Sequence, residues 1–164
     1  MRTFPMLIGL LYSVAAQPAT PDVALTFQGY GLVTFGMTIA DAVRVLRQPS
    51  IRTDDYGDES CYYVRFEAYP GVLFMIEDSR VVQAEPPDKS TNVLGLKVGM
   101  GLIDVRKKFK GRKVQLQEYD DGGHRLLFPS ANGKAEIVAE VSGGRITDVR
   151  GGLLPAIEYV EGCL

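Results

Sequence analysis

The sequence predicts an α+β protein built from two related units, each a helix followed by antiparallel strands, packed around one core. Two segments lead to this prediction: FGMTIADAVRVL at 35–46 and VGMGLIDVRKKF at 98–109. Each has Gly-Met, a small or hydroxyl residue, an aliphatic residue, an Asp four positions after the Met and a helical pattern of apolar residues. With 164 residues, the chain is long enough for one domain or for two small halves that share a core.

The first unit is predicted to span residues 29–90. Alternating apolar residues predict a short strand over Gly29–Phe35. Thr38 is a favourable N-cap for a helix over Ile39–Arg47, and Pro49 ends this helix. The other predicted elements of this unit follow in chain order: a polar loop over 51–60, a strand over Cys61–Tyr69, a turn at Pro70-Gly71, and a hairpin over 72–86 that turns at Asp78-Ser79.

The second unit is predicted to span residues 91–152 and to repeat this order. A short lead-in strand over Leu96–Val98 precedes the second Gly-Met pair, and a helix over Leu102–Phe109 follows it and ends at Gly111. The remaining elements of this unit are a strand over His124–Ser130 and a hairpin over 134–152 that turns at Gly143-Gly144.

Each Gly-Met pair is interpreted as the turn from a strand into a helix. Gly36 and Gly99 are expected where a Cβ would obstruct the backbone. Met37 and Met100 are expected to pack beneath the helix as adaptable core residues. Each pair is followed by an Asp in the first helical turn, where negative charge is favourable. One unit is too small to bury the apolar face of its helix by itself, so the two are expected to share one core.

The N-terminal residues have the pattern of a secretory signal peptide. Arg2 precedes an apolar run over 4–16, and small residues at 14–16 fit the site that signal peptidase cleaves. Residues 1–16 are therefore predicted to be a signal peptide and residues 17–28 a mature N-terminal arm. The mature chain is predicted to be periplasmic or secreted and to have no transmembrane segment. The alternative is a buried N-terminal strand or helix.

The two cysteines, Cys61 and Cys163, are predicted to form a disulfide, because an even pair in an exported chain usually does. The bond would join a C-terminal tail, residues 153–164, to the middle of the first unit. The alternative is two free thiols, one of them catalytic, but Cys163 has no evident base partner in the sequence around it.

The two Gly-Met helix entries resemble those of the beta-lactamase inhibitor protein fold and of the related small outer-membrane assembly lipoproteins of the SmpA/OmlA type. The resemblance implies an α+β repeat with helices on one face of an antiparallel sheet. PGVLFMIED, GLKVGM and AIEYVEGCL also look like segments of a group of small exported proteins of Gram-negative bacteria, some of them labelled lectins. The resemblance brings no catalytic residues. The chain lacks the lipidated Cys that the assembly lipoproteins carry near the N-terminus.

The acidic segment RTDDYGDESCYY is a candidate calcium site. Its carboxylates, between Asp54 and Glu59, are ligands that Ca²⁺ accepts. The spacing does not match an EF-hand loop, because Gly57 precedes the later Asp. A solvated loop is the preferred interpretation, and no metal site is predicted, but calcium binding stays open.

The segment QEYDDGGHRLLF places Asp120 and Asp121 close to His124, the only histidine in the chain. An Asp–His pair can act as a general acid and base. No Ser or Cys nucleophile is tied to it by spacing, and Gly122-Gly123 has the composition of a hairpin turn. A hydrolase that uses His124 is therefore only the third hypothesis for the function.

Surface binding is indicated by a basic run and by exposed aromatic residues. The segment RKKFKGRK contains six basic residues: Arg106, Lys107, Lys108, Lys110, Arg112 and Lys113. They suit a phosphate, a lipid head group or an anionic polymer, although cations also stabilise the C-terminal end of a helix. Tyr56 and Tyr119, in predicted loops, are candidate contacts with a protein or a sugar.

These observations predict a binding module rather than an enzyme, with no catalytic residues and no cofactor. The net charge of -2 provides no electrostatic footprint for nucleic acid. The preferred partner is a protein of the cell envelope, bound as an inhibitor or an assembly factor would bind it. The alternative is a carbohydrate or another envelope polymer. The sequence does not indicate the oligomeric state or the exposed face of the sheet.

Overall fold

The protein is mostly β, and the predicted fold class of two helix-plus-strand repeats is wrong. A computed structural model describes residues 23–118 and 123–163, although for residues 54–56 it describes the backbone alone. In this part of the chain, twelve strands form one sheet of four strands and one of eight, beside two short α helices. The predicted signal peptide and residues 17–22 of the predicted arm lie outside the described residues.

The elements are short, and most are strands. In chain order they are β1 (Ala24–Leu25), β2 (Gly29–Tyr30), β3 (Val33–Thr34), α1 (Ile39–Leu46), β4 (Ile51–Gly57), β5 (Cys61–Arg65), β6 (Leu73–Glu77), β7 (Arg80–Glu85), β8 (Thr91–Asn92), α2 (Leu102–Lys108), β9 (Gln115–Glu118), β10 (His124–Pro129), β11 (Ala135–Ser142), β12 (Arg145–Leu153) and a 3-10 turn at Ala156–Glu158.

The large sheet joins both halves of the chain into one structure. Its order is β4-β5-β6-β7-β12-β11-β10-β9, and all neighbours are antiparallel. The halves meet where Gly151 pairs with Ala84 and Gly152 pairs with Gln83. A Cβ on Gly152 would lie 2.6 Å from the carbonyl oxygen of Val82, so only glycine fits at this joint. This long-range pairing produces a continuous sheet in place of two separate repeats.

Both faces of the large sheet are covered. Side chains that alternate along β10 illustrate this, because Leu126 and Phe128 lie in the main core while Leu127 lies in a second cluster on the opposite face. The main core is formed with α1, α2 and the small sheet, whose order is β3-β2-β1-β8. The opposite face packs against the C-terminal segment, where Ile157 is fully buried.

The predicted disulfide between Cys61 and Cys163 is present. The two Cα atoms are 5.2 Å apart, and 102 positions separate the residues in the sequence. The bond holds the end of the C-terminal segment against a small apolar cluster that contains Met75 and Val82. None of the helices in the described ranges has the length and hydropathy needed to cross a bilayer.

Several predicted elements are confirmed. Helix α1 begins after Thr38, whose side chain accepts a hydrogen bond from the amide of Asp41, and both hairpins turn at the predicted residues. Each helix ends one residue earlier than predicted, with Arg47 and Phe109 as the C-caps. These confirmed elements all depend on local signals such as caps and turn residues.

Other elements differ from the prediction. The predicted polar loop over 51–60 contains strand β4, the predicted strand over Gly29–Phe35 is the tight hairpin β2–β3, and the predicted lead-in over Leu96–Val98 is not a strand. Strand β9 was not predicted. Strands β4 and β9 are the two edges of the large sheet. Apolar and polar residues alternate at β9 over residues 114–117 only, and this short run directly follows the basic segment.

The two Gly-Met turns dock on their hairpins in the same way. The amide of Gly36 donates to the carbonyl oxygen of Val81 at 2.7 Å, and that of Gly99 donates to Ile146 at 2.8 Å. Both glycines have positive φ, +83° and +86°, and a Cβ would meet open space at Gly99 and only a 3.8 Å contact at Gly36. A Cβ here would therefore not clash with distant parts of the chain, and glycine is favoured because a Cβ would clash with the local backbone at positive φ.

Candidate functional site

An apolar cavity of about 370 Å³ opens between α2 and the edge of the large sheet at β9 and β10. We call it the α2 cavity. Its lining combines apolar side chains with charged and polar groups: Leu102, Val105, Arg106, Phe109, Arg112, Val114, Leu116, Glu118, His124 and Leu126. The volume is in the range of cavities that accept a small ligand or a few side chains of a partner, and a few polar groups around an apolar surface are typical of such sites.

The packing of α2 creates this cavity. Val105 and Phe109 are buried, and the ring of Phe109 lies 4.8 Å from that of Phe128 on β10, measured between centroids. The helix has only seven residues and is anchored over β10, while Leu116 on the neighbouring edge strand remains 49% exposed. The core is therefore incomplete at this edge.

The basic run predicted from the sequence borders the cavity. All six of its cationic side chains are exposed. Arg106 and Arg112 line the α2 cavity, and Arg112 with Lys113 lines an adjoining cavity of about 370 Å³ that also contacts Phe109. The Arg112 guanidinium carbon is 5.8 Å from the centroid of the Phe109 ring, within reach of a cation–π contact. Glu118 is the one acidic residue in the two linings, and the cations outnumber it in the α2 cavity, so anionic groups are favoured at the mouths of both cavities.

His124 also lines the α2 cavity, and its Nδ1 lies 2.7 Å from the carbonyl oxygen of Gly123. The residues that the sequence places beside it, Asp120 and Asp121, lie outside the described residues, as does the candidate contact Tyr119. An imidazole among arginines and apolar side chains provides groups for recognising an anion. The hydrolase hypothesis receives no geometric support from the described neighbours of His124.

In the acidic segment, the structure describes the side chains of Asp58 and Glu59, while those of Asp54 and Asp55 lie outside the described part. Asp58 accepts hydrogen bonds from both the amide and the hydroxyl of Ser60 and from the amide of Cys61, and these bonds hold its pKa below the usual value. Its carboxylate therefore stabilises the turn into β5. Among the described residues, no group of three His, Cys, Asp or Glu side chains is placed to bind a metal. The side chain of Tyr56 lies outside the described part of the structure.

The two edges of the large sheet differ. At the β4 edge, the guanidinium of Arg52 lies over the ring of Tyr62, 4.4 Å from its centroid, and the register shifts between Thr53 and Gly57. At the β9 edge, the register is regular from Gln115 to Glu118, with no bulge. The first edge is thus bent by an irregularity in its pairing, while the second is regular and borders an open cavity.

Charged side chains on the opposite face of the sheet form a structural cluster. Arg150 pairs with Glu140 at 2.7 Å and lies 3.7 Å from Asp148. Burial raises the pKa of Asp148 and of Glu85, and the nearby Arg150 opposes this effect in both. These acids neighbour a cation of their own chain, so we assign the cluster to stability and not to ligand binding.

Glu136, on the same face, is the least satisfied charged group of the described residues. It is 4% exposed, and its Oε2 has no hydrogen-bond partner. Burial and the nearby Glu158 raise its pKa, while Arg125 and Lys113 oppose the shift. The folded state therefore holds this proton more tightly than the unfolded chain does. The contribution to stability is present at low pH and is lost as the pH rises through the folded-state pKa.

We therefore expect Glu136→Gln to stabilise the protein at neutral pH. The free energy of unfolding should rise, because glutamine removes the carboxylate charge that burial and the nearby Glu158 disfavour. The gain should disappear below about pH 4, where the native carboxyl is protonated. Urea unfolding of both proteins across this pH range measures the effect. A gain that does not depend on pH would show that the charge of Glu136 is not its cause.

Comparisons of this chain with protein-family models, with curated proteins and with solved structures find no match. The resemblance to the inhibitor-protein and assembly-lipoprotein folds therefore stays a hypothesis. The sequence identified the cations and His124 but missed the apolar lining, because its residues come from α2, the following loop, β9 and β10 and have the composition of ordinary core.

Proposed function

We propose that this protein is an exported, non-catalytic binding module that binds a protein of the cell envelope through the α2 cavity. The observation that carries the proposal is the incomplete core at the sheet edge, where Arg106 and Arg112 border an apolar cavity. An apolar centre with a charged rim is the usual composition of a protein-binding site. The partner should present an apolar side chain together with carboxylates.

Two further observations support this choice of partner. The α2 cavity adjoins a second cavity through Phe109 and Arg112, so the surface is longer than one small ligand needs. The chain as a whole has a net charge of -2, so the cationic rim is a local feature and not a general one. The disulfide is consistent with a location outside the cytoplasm.

An anionic envelope polymer, such as a carbohydrate with charged groups, is the second candidate. It is favoured by the exposure of all six cations between Arg106 and Lys113. A polymer bound through surface charge alone would depend strongly on salt and little on the apolar lining of the cavity. Binding that survives in high salt but is lost in Leu126→Ala would favour a protein partner.

The test compares two charge-reversal variants of the immobilised protein. Arg106→Glu with Arg112→Glu changes the rim of the cavity, and Lys89→Glu with Lys97→Glu makes the same change in charge at exposed residues outside the cavity lining. From an envelope extract of the host, the wild type and the control variant should retain one protein in a 1:1 ratio. The cavity variant should bind that purified protein at least about tenfold more weakly.

Equal binding by all three proteins would show that the cavity is not the site. Retention on purified peptidoglycan or on anionic vesicles, with no protein retained in a fixed ratio, would replace the protein partner with a polymer or a lipid.

A further inference from the structure

Strand β9 has the features of a strand that accepts another strand. It forms the edge of the large sheet, and in the described part of the chain it pairs with β10 and with no other strand. All four of its residues are exposed. An edge strand has a row of unpaired backbone donors and acceptors, and proteins usually cover or bend such edges. The opposite edge is bent at the register shift between Thr53 and Gly57, but β9 is regular.

The α2 cavity lies on one face of the sheet beside β9. Leu116 and Glu118 line the α2 cavity, while Gln117 points to the opposite face and accepts a hydrogen bond from the buried Arg125 at 2.8 Å. The interaction with Arg125 holds the strand against the sheet. A strand added beside β9 would therefore place every second side chain over the α2 cavity.

We infer that the partner binds by adding an extended segment to the outer edge of β9. Backbone hydrogen bonds to β9 would provide affinity, and alternate side chains would provide specificity. Charge determines the chemistry of the segment. Beside Arg106 and Arg112, it should carry an apolar side chain that enters the cavity and a carboxylate two positions before or after it, because only every second side chain lies on the cavity face. This inference rests on the proposed function, because it specifies the partner and the mode of binding at the same site.

The test uses random peptides displayed on phage and selected against the immobilised protein. Selected peptides should share an apolar residue with an acidic residue two positions away, on the same face of the strand, and they should protect the amides of residues 115–118 from hydrogen exchange. Two proline variants then probe the backbone, Gln115→Pro and Leu116→Pro, with Leu116→Val as the side-chain control. Consecutive amides of a strand point to opposite edges, so only one of the two prolines removes an outward-facing donor.

The variant that loses the outward-facing amide is recognised by an unchanged midpoint of urea unfolding. It should bind the peptides at least about tenfold more weakly than the wild type does. Strand addition is wrong if the outward proline does not weaken peptide binding and the peptides protect no amide of β9. The proposed function still stands in that case, provided that Arg106→Glu with Arg112→Glu abolishes peptide binding. If selection enriches no peptide, or only peptides that none of these variants affects, both fail. A dimer that the outward proline dissociates would assign the edge to a second copy instead.

Discussion

Replacing both cysteines, Cys61→Ala with Cys163→Ala, is expected to lower the free energy of unfolding by about 4–5 kcal/mol. The bond closes a loop across a sequence separation of 102 residues, and in the chain-entropy model a loop of this size restricts the unfolded chain by that amount. Urea unfolding of the oxidised protein and of the variant measures the difference. Such a loss is a large part of the stability of an ordinary domain.

The loss should be accompanied by a local change at the C-terminal segment. Cys163 is buried, and its neighbours Met75 and Val82 would gain exposure once the end of the segment is released. Amides of residues 159–163 should exchange faster, while those of α2 should not. The wild type in reductant serves as the control and should match the variant. A loss below about 1 kcal/mol would mean that residual structure already restricts the unfolded chain when the disulfide is absent.

The parts of the fold that could be predicted depend on neighbouring residues. The side chain of Thr38 caps its helix, and Asp78-Ser79 and Gly143-Gly144 form their turns, because each of these effects involves residues close in sequence. The pairing of β7 with β12 joins the halves through residues far apart in sequence, and no local signal announces it. Two-residue strands such as β1 and β8 are shorter than any window in which a period can be read.

The candidate site, like the fold, could be predicted only where it depends on residues close in sequence. The cations between Arg106 and Lys113 are evident in the sequence because all six lie within eight positions. The cavity that two of them border exists because α2 is short and leaves Leu116 half exposed, which follows from packing and not from residue type. The edge strand β9 was missed because the alternation of apolar and polar residues that marks it covers only residues 114–117, next to a charged segment.

Phe109→Ala is expected to lower the free energy of unfolding by about 3–5 kcal/mol, the usual cost of removing a buried aromatic ring. Phe109 is 5% exposed and contacts Phe128, and it is one of the few residues that anchor α2 to the sheet. A helix of seven residues is not stable by itself, so it needs this packing. Urea unfolding measures the loss, and hydrogen exchange should show that the α2 amides become the least protected of the helical amides.

Ile103→Ala is the matched control, because Ile103 lies on the same helix and is 68% exposed. Its loss should stay within about 0.5 kcal/mol, as for most surface substitutions. Phe109 also lines both cavities, so its removal should join them and weaken partner binding, while Ile103→Ala should leave binding unchanged. If Phe109→Ala unfolds no more readily than Ile103→Ala, then α2 is not held by this ring, and the cavity would need a different structural explanation.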